Sequence, residues 1–224
     1  MIMKKLAVLL ILVFGVASLG YAQDNSKQLA KAQSKMYKVK MKEYKKEGWK
    51  IDSPTKTLEV ALLEHSIMLS KKDNNGNPLY YELVGNCTDC KQINVCRRVA
   101  ESNAIVDYAN RASGYIQGRV ASETDFVGTE NNSKELDDYY AAYERIVGAE
   151  IQKGVIRESF SLRKETSSGK NEYKIVFLLN EETAAQVREE ANKRALQESK
   201  LGQDRSRAIS KFVQEPIPTT LSNE

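Results

Sequence analysis

Two stretches of the chain alternate between apolar and polar positions, against a background of helical spacing. Val155 to Arg163 sets Ile156, Phe160 and Leu162 on one side, and Glu172 to Leu179 alternates again through Tyr173, Ile175, Phe177 and Leu179. A period of two is that of a strand with one face buried. The polar run Thr166-Ser167-Ser168-Gly169-Lys170-Asn171 supplies a turn between them, so the pair predicts a β-hairpin. A third run, Leu79 to Val84, follows the turn sequence Asp73-Asn74-Asn75-Gly76-Asn77-Pro78 and predicts a strand stopped by Gly85.

Elsewhere the apolar residues recur every three or four positions. Leu58 to Leu69 is apolar on most sides and predicts a core helix, with Ser53-Pro54 as a capping hydroxyl followed by proline. The longest helix begins near Cys90, and its apolar positions shift from Val95, Val99 and Val106 towards Ile105, Ala109, Ala112, Ile116 and Val120. Thr124 to Asn131 is polar and loop-like. Asn132-Ser133-Lys134-Glu135 has the spacing of a capping box and opens a helix to about Lys153, striped by Leu136, Tyr140, Tyr143, Val147 and Ile151. Asn180-Glu181-Glu182 caps another helix towards Leu201, with Ala184, Val187, Ala191 and Ala195 inward. Gly202 precedes a last short helix, and Pro216 and Pro218 mark a frayed tail. Strand, long helix pair, hairpin, helix is an α+β order, with helices over one face of a small antiparallel three-stranded sheet.

The first segment belongs to delivery rather than to this fold. Lys4 and Lys5 precede an apolar run from Leu6 to Ala17, and Gly20-Tyr21-Ala22 offers a small-x-small cleavage site before Gln23. That combination predicts a secretory signal peptide over residues 1–22. The run is too short to span a bilayer core of about 30 Å at about 1.5 Å per residue. With 41% hydrophobic and 29% charged residues, the rest can bury a core as an ordinary soluble chain does. Without Lys4 and Lys5 the basic count falls from 34 to 32 against 30 acids, a charge of +2, which argues against bulk nucleic-acid binding.

Charge is uneven along the mature chain. Asp24 to Lys50 holds nine lysines and three acids. Asn25 to Glu47 predicts a helix ended by Gly48, on which Lys27, Lys31, Lys35, Lys38, Lys42 and Lys45 form one ridge. Such a ridge suits contact with lipid headgroups or acidic polymer. The plainer reading is a solvated face on a helix docked by its other side.

Reactive chemistry concentrates at Cys87-Thr88-Asp89-Cys90, between a strand and a helix, where helix N–H groups favour a thiolate. Cys87 and Cys90 are therefore the catalytic candidates of a thiol-redox reading, although the order lacks a βαβ unit. The bland expectation is a local Cys87–Cys90 disulfide with Cys96 a buried thiol. Cys96, read as six residues along the same helix, would lie about 240° around its axis from Cys90. A zinc site from Cys87, Cys90, Cys96 and His65 is disfavoured because oxidised compartments favour disulfides, so no metal or cofactor is expected. His65, the single histidine, reads as a surface or satisfied residue. Tyr139, Tyr140 and Tyr143 read as a core edge, with a stacking platform as the alternative. Asp137 and Asp138 are adjacent and diverge by about 100° on a helix. The chain carries no GxSxG, HExxH, P-loop or Gly-rich dinucleotide turn.

The alanine-rich stretch NAIVDYANRASGYIQGRV followed by YERIVGAEIQKGVIRESFSLRKETSSGKNEYKIVFLLNEETA resembles the Helicobacter twenty-kilodalton lipoprotein (Lpp-twenty) family. The resemblance covers roughly Gly85 to Val187. The chain is also similar to exported Bacteroidetes proteins with a lysine-rich N-terminal helix and a KEGW turn, here Lys46 to Trp49. The resemblance implies a cell-envelope protein, often at the outer membrane, with no catalytic residues to carry over. This chain departs from it in having no lipobox and in its cysteine cluster.

Together these readings predict a basic helix over residues 23–50, one α+β envelope domain over 51–214 and a disordered tail over 215–224. The expected function is that of an exported, non-enzymatic binding or structural module in the periplasm or at the outer membrane, with secretion open. Its expected partners are an envelope protein, an anionic polymer or the outer-membrane surface, with no nucleic acid and no span in the mature chain. The alternative is a periplasmic thiol-redox protein.

Overall fold

The computed structural model describes residues 37–122, 130–199, 201 and 203–217. The predicted signal peptide, Lys27, Lys31, Lys35, most of the Thr124–Asn131 loop and residues 218–224 lie outside the described residues. So do the side chains of the capping-box residues Asn132 and Ser133. The chain divides into two units, 1–47 and 48–224. In the first, residues 37–46 form helix α1.

The second unit runs β1 (Lys50–Ile51), α2 (Leu58–Leu69), β2 (Tyr80–Cys90), α3 (Ile93–Ser122), α4 (Glu130–Gln152), β3 (Ile156–Glu165), β4 (Asn171–Asn180), α5 (Glu181–Ser199) and α6 (Gln203–Val213). The α+β class holds, but the sheet has four strands in the order β1-β3-β4-β2, all antiparallel, and not the expected three. The added strand is two residues long, Lys50 opposite Arg163 and Ile51 opposite Leu162. Two residues cannot display a period of two. It also moves the domain boundary: Trp49 is buried and belongs with the sheet, with Lys164 and Lys174 over its ring at 4.9 and 5.1 Å.

The sheet is covered on both faces. Tyr173, Ile175, Phe177 and Leu179 of β4 turn into the main core with α3, α4, α5 and α6. Phe160, Leu162, Val176 and Leu178 are buried outside that core, on the face that receives Ala61, Leu62 and His65 of α2. A β-bulge explains why Phe160 and Ile156 do not share a side as their spacing predicts. Glu158 opposes Phe177 and Phe160 opposes Val176, so Ser159 is an extra residue that shifts the alternation. Ile156 then packs on the main core while Phe160 faces α2.

Two other boundaries differ from expectation for identifiable reasons. Thr57, and not Ser53, caps α2 by accepting from the Val60 N–H, while Ser53 accepts from Thr55 and Lys56 in the preceding turn. Gly85 does not stop β2, which continues to Cys90. A β-carbon there would collide with the Ala100 carbonyl of α3, so the glycine lets helix and strand cross closely. Asn180 caps α5 as predicted, accepting from the Thr183 N–H at 3.0 Å. The expected tail still packs at its start: Ile217 is buried in the main core, and Glu215 binds Tyr115 and Arg119.

Candidate functional site

Three elements bring the cysteines together. The end of β2 carries Cys87 and Cys90, the first turn of α3 carries Cys96, and the β3–β4 hairpin closes over them. In a regular strand, Cys87 and Cys90, three residues apart, would face opposite sides of the sheet. Here Cys87 opposes Tyr173 and Cys90 opposes Asn171, three steps on β2 against two on β4. The extra residue is a β-bulge, and Asp89 within it has φ 64°, the left-handed region a non-glycine rarely enters. The bulge turns both cysteines to the α3 side. All three Sγ atoms lie within 4.8 Å of one another.

The turn is fixed from outside. Asp89 is bridged by Lys170 at 2.7 Å, and the Asn171 side chain donates to the carbonyls of Cys90 and Lys91 at 3.4 and 3.2 Å. A strained conformation persists where its surroundings over-determine it, and these contacts do so.

Within the cluster the covalent pair is Cys90–Cys96, with Cα atoms 5.9 Å apart, and Cys87 is the free, buried thiol. This corrects the expected Cys87–Cys90 disulfide and the expected free Cys96. The angular argument failed because α3 starts at Ile93, three residues later than predicted. Cys90 therefore sits on a strand end, free to meet Cys96 in the next element. Burial raises the pKa of the Cys87 thiol, which keeps it protonated at neutral pH.

His65 is not part of this cluster. It lies under α2 on the opposite face of the sheet, so the four-residue zinc set is not assembled. Its ring is enclosed, 2% exposed, with Nδ1 3.0 Å from Ser159 Oγ and Nε2 2.5 Å from Glu82 Oε2. Phe160 meets it edge-on at 5.4 Å. In the tautomer with its proton on Nε2, that nitrogen donates to Glu82 and Nδ1 accepts from Ser159, the hydrogen-bond order of a serine–histidine–acid relay. Enclosure of the ring makes this arrangement a clamp joining α2 to β2 and β3. Sequence reasoning missed it because Ser159 reaches His65 only through the bulge in β3.

Other candidates also resolve. Tyr139 and Tyr143 are fully buried, ring centroids 5.9 Å apart, and Tyr139 donates to Asn192 at 2.8 Å, so they are core residues and not a platform. Lys38, Lys42 and Lys45 of α1 are exposed. Val95, Val99 and Val106 of α3 are also exposed, and Val106 borders a groove of about 470 Å³ with Ala141, Gly148 and Ala149 of α4. No helix among the described residues is long and apolar enough to cross a membrane. No protein-family model, no curated protein and no solved structure matches the chain.

Proposed function

We propose that the chain is an exported, non-enzymatic cell-envelope protein, a binding or structural module that meets anionic polymer or the outer-membrane surface through α1. The observation that carries this reading is the Cys90–Cys96 disulfide, because disulfides form and persist in oxidising compartments. The signal-like sequence over residues 1–22 and the resemblance to envelope lipoproteins agree with it. The exposure of Lys38, Lys42 and Lys45 on one helix supplies the basic surface. The other reading, a thiol oxidoreductase using Cys87 and Cys90, is served less well. Cys90 is already bonded to Cys96, and Cys87 is buried with a raised pKa, which leaves little thiolate to attack a substrate.

Fractionation of cells quenched with alkylating reagent tests the proposal. The expected product begins at Gln23, sits in the periplasmic or outer-membrane fraction, and carries one alkylated cysteine. An uncleaved cytoplasmic chain with three alkylated cysteines would overturn it.

A further inference from the structure

The cysteine cluster holds one bond and one thiol among three mutually adjacent sulfurs. A disulfide beside a third thiol is the arrangement in which pairing can change without an external oxidant, because attack by the thiolate only relocates the bond. Three features of this site favour that step.

The first is reach. Cys87 and Cys90 oppose residues two apart on β4, and the bulge brings their Sγ atoms within 4.8 Å of each other. Both side chains share the face that packs on α3, so the Cys87 sulfur stands beside the existing bond. The second is the leaving group. Cys96 lies in the first turn of a 30-residue helix, whose positive end steadies the departing sulfur, and its Sγ lies 3.4 Å from the Asn171 carbonyl, which accepts from the thiol once the proton is taken up. The third is anchorage. Lys170 and Asn171 hold the bulge in place through side chains on the hairpin, independently of which sulfurs are bonded.

We propose that the three cysteines form an internal thiol–disulfide exchange site in which the free thiol moves between Cys87 and Cys96. Cys87 loses its proton to solvent and its thiolate attacks Cys90 Sγ. The Cys87–Cys90 bond forms as the Cys90–Cys96 bond breaks, and Cys96 leaves as a thiolate that takes up a proton. One disulfide and one thiol exist before and after, so nothing is oxidised or reduced overall. The resting pair ties β2 to α3, whereas the exchanged pair lies wholly within the bulge and releases the first turn of α3 from the strand. The charged and titratable groups at this junction are Asp89 and Lys91 beside the cysteines, Arg97 on α3, and Lys170 and Tyr173 on the hairpin. The inference rests on the oxidised pair that also supports export, and its test separates the two.

The purified, oxidised full chain is incubated across a pH series and quenched in acid. Its free thiol is then labelled with a maleimide under denaturing conditions and located by peptide mapping. The expected label starts on Cys87 and divides between Cys87 and Cys96, at a rate that rises about tenfold per pH unit while Cys87 stays mostly protonated. Cys87→Ser should hold the Cys90–Cys96 bond at every pH, and Cys96→Ser should close a Cys87–Cys90 bond under mild oxidant. Label confined to Cys87 throughout, or two persistent thiols in oxidised Cys96→Ser, would overturn the exchange and leave the export reading untouched. Three free thiols in the chain as isolated from cells would overturn both.

Discussion

Gly85 of β2 and the carbonyl of Ala100 in α3 cross so closely that a β-carbon on the glycine would occupy the oxygen's place. It would also stand 3.0 Å from the Ala104 β-carbon. The colliding atom is helix backbone, which cannot swing aside as a side-chain tip can. Gly85→Ala is therefore expected to destabilise the fold by about 3 kcal/mol, the upper end of ordinary overpacking. A β-carbon on Gly114, in the same helix, would meet nothing within 4 Å, so Gly114→Ala should stabilise by about 0.5–1 kcal/mol. Urea midpoints of the two variants check the contrast; equal effects would refute the close crossing.

Among the described residues Arg188 is the largest fully buried side chain, 1% exposed, on the inner side of α5. It donates to Tyr108 at 2.9 Å and Glu181 at 2.7 Å, and its Nε reaches the Val213 carbonyl at 3.4 Å. Burial would lower its pKa, but Tyr108 and Glu181 outweigh that and raise it, so the guanidinium stays charged. Arg188→Ala leaves Glu181 and Tyr108 without their donor and is expected to cost about 3–5 kcal/mol. Arg188→Met with Glu181→Gln removes both charges while keeping much of the volume, and should recover more than half of that loss. A double variant no more stable than Arg188→Ala in thermal or urea unfolding would count against the ion pair as the cause.

The legible parts of this fold were those in which local pattern and tertiary role agree. The β3–β4 hairpin, the Asn180 cap and the alanine face of α5 follow from period, turn chemistry and capping alone. What was not legible depends on a single residue out of phase. Ser159 shifts the alternation of β3 and thereby delivers the His65 clamp, and the bulge at Asp89 places Cys87 and Cys90 on one face. Neither bulge carries the glycine that would announce it. Arg188 was hidden differently: a helix rich in charge conceals the one charged residue that turns inward.

Tyrosine burial gives the fold an alkaline limit. Desolvation raises Tyr140 and Tyr173 from 10.0 to about 12, and Tyr108, Tyr139 and Tyr143 are raised as well. The folded pKa values lie above the unfolded value near 10, so this stability is complete below pH 10 and is lost as pH climbs towards 12. The unfolded chain should ionise its tyrosines near pH 10. The buried set should ionise later, together with loss of helix signal. Ionisation of every tyrosine near pH 10 with intact dichroism would contradict the burial.

The lysines of α1 make the most direct test of the binding surface. Lys38, Lys42 and Lys45 are exposed and spaced by four and three residues, which stacks them along one side of the helix. Lys38→Glu, Lys42→Glu and Lys45→Glu together change the local charge by six and alter no residue of the unit that holds the sheet. If the ridge contacts anionic polymer or headgroups, co-sedimentation with envelope fractions should fall at least tenfold in the triple variant. The parent chain should lose binding progressively between about 0.05 and 0.5 M salt, as the screening length shrinks below the spacing of the charges. Unchanged thermal stability would show that the body of the protein is intact in the variant. Equal sedimentation of parent and variant at low salt would reassign the ridge to a solvated face and move the search for a partner to the α3–α4 groove.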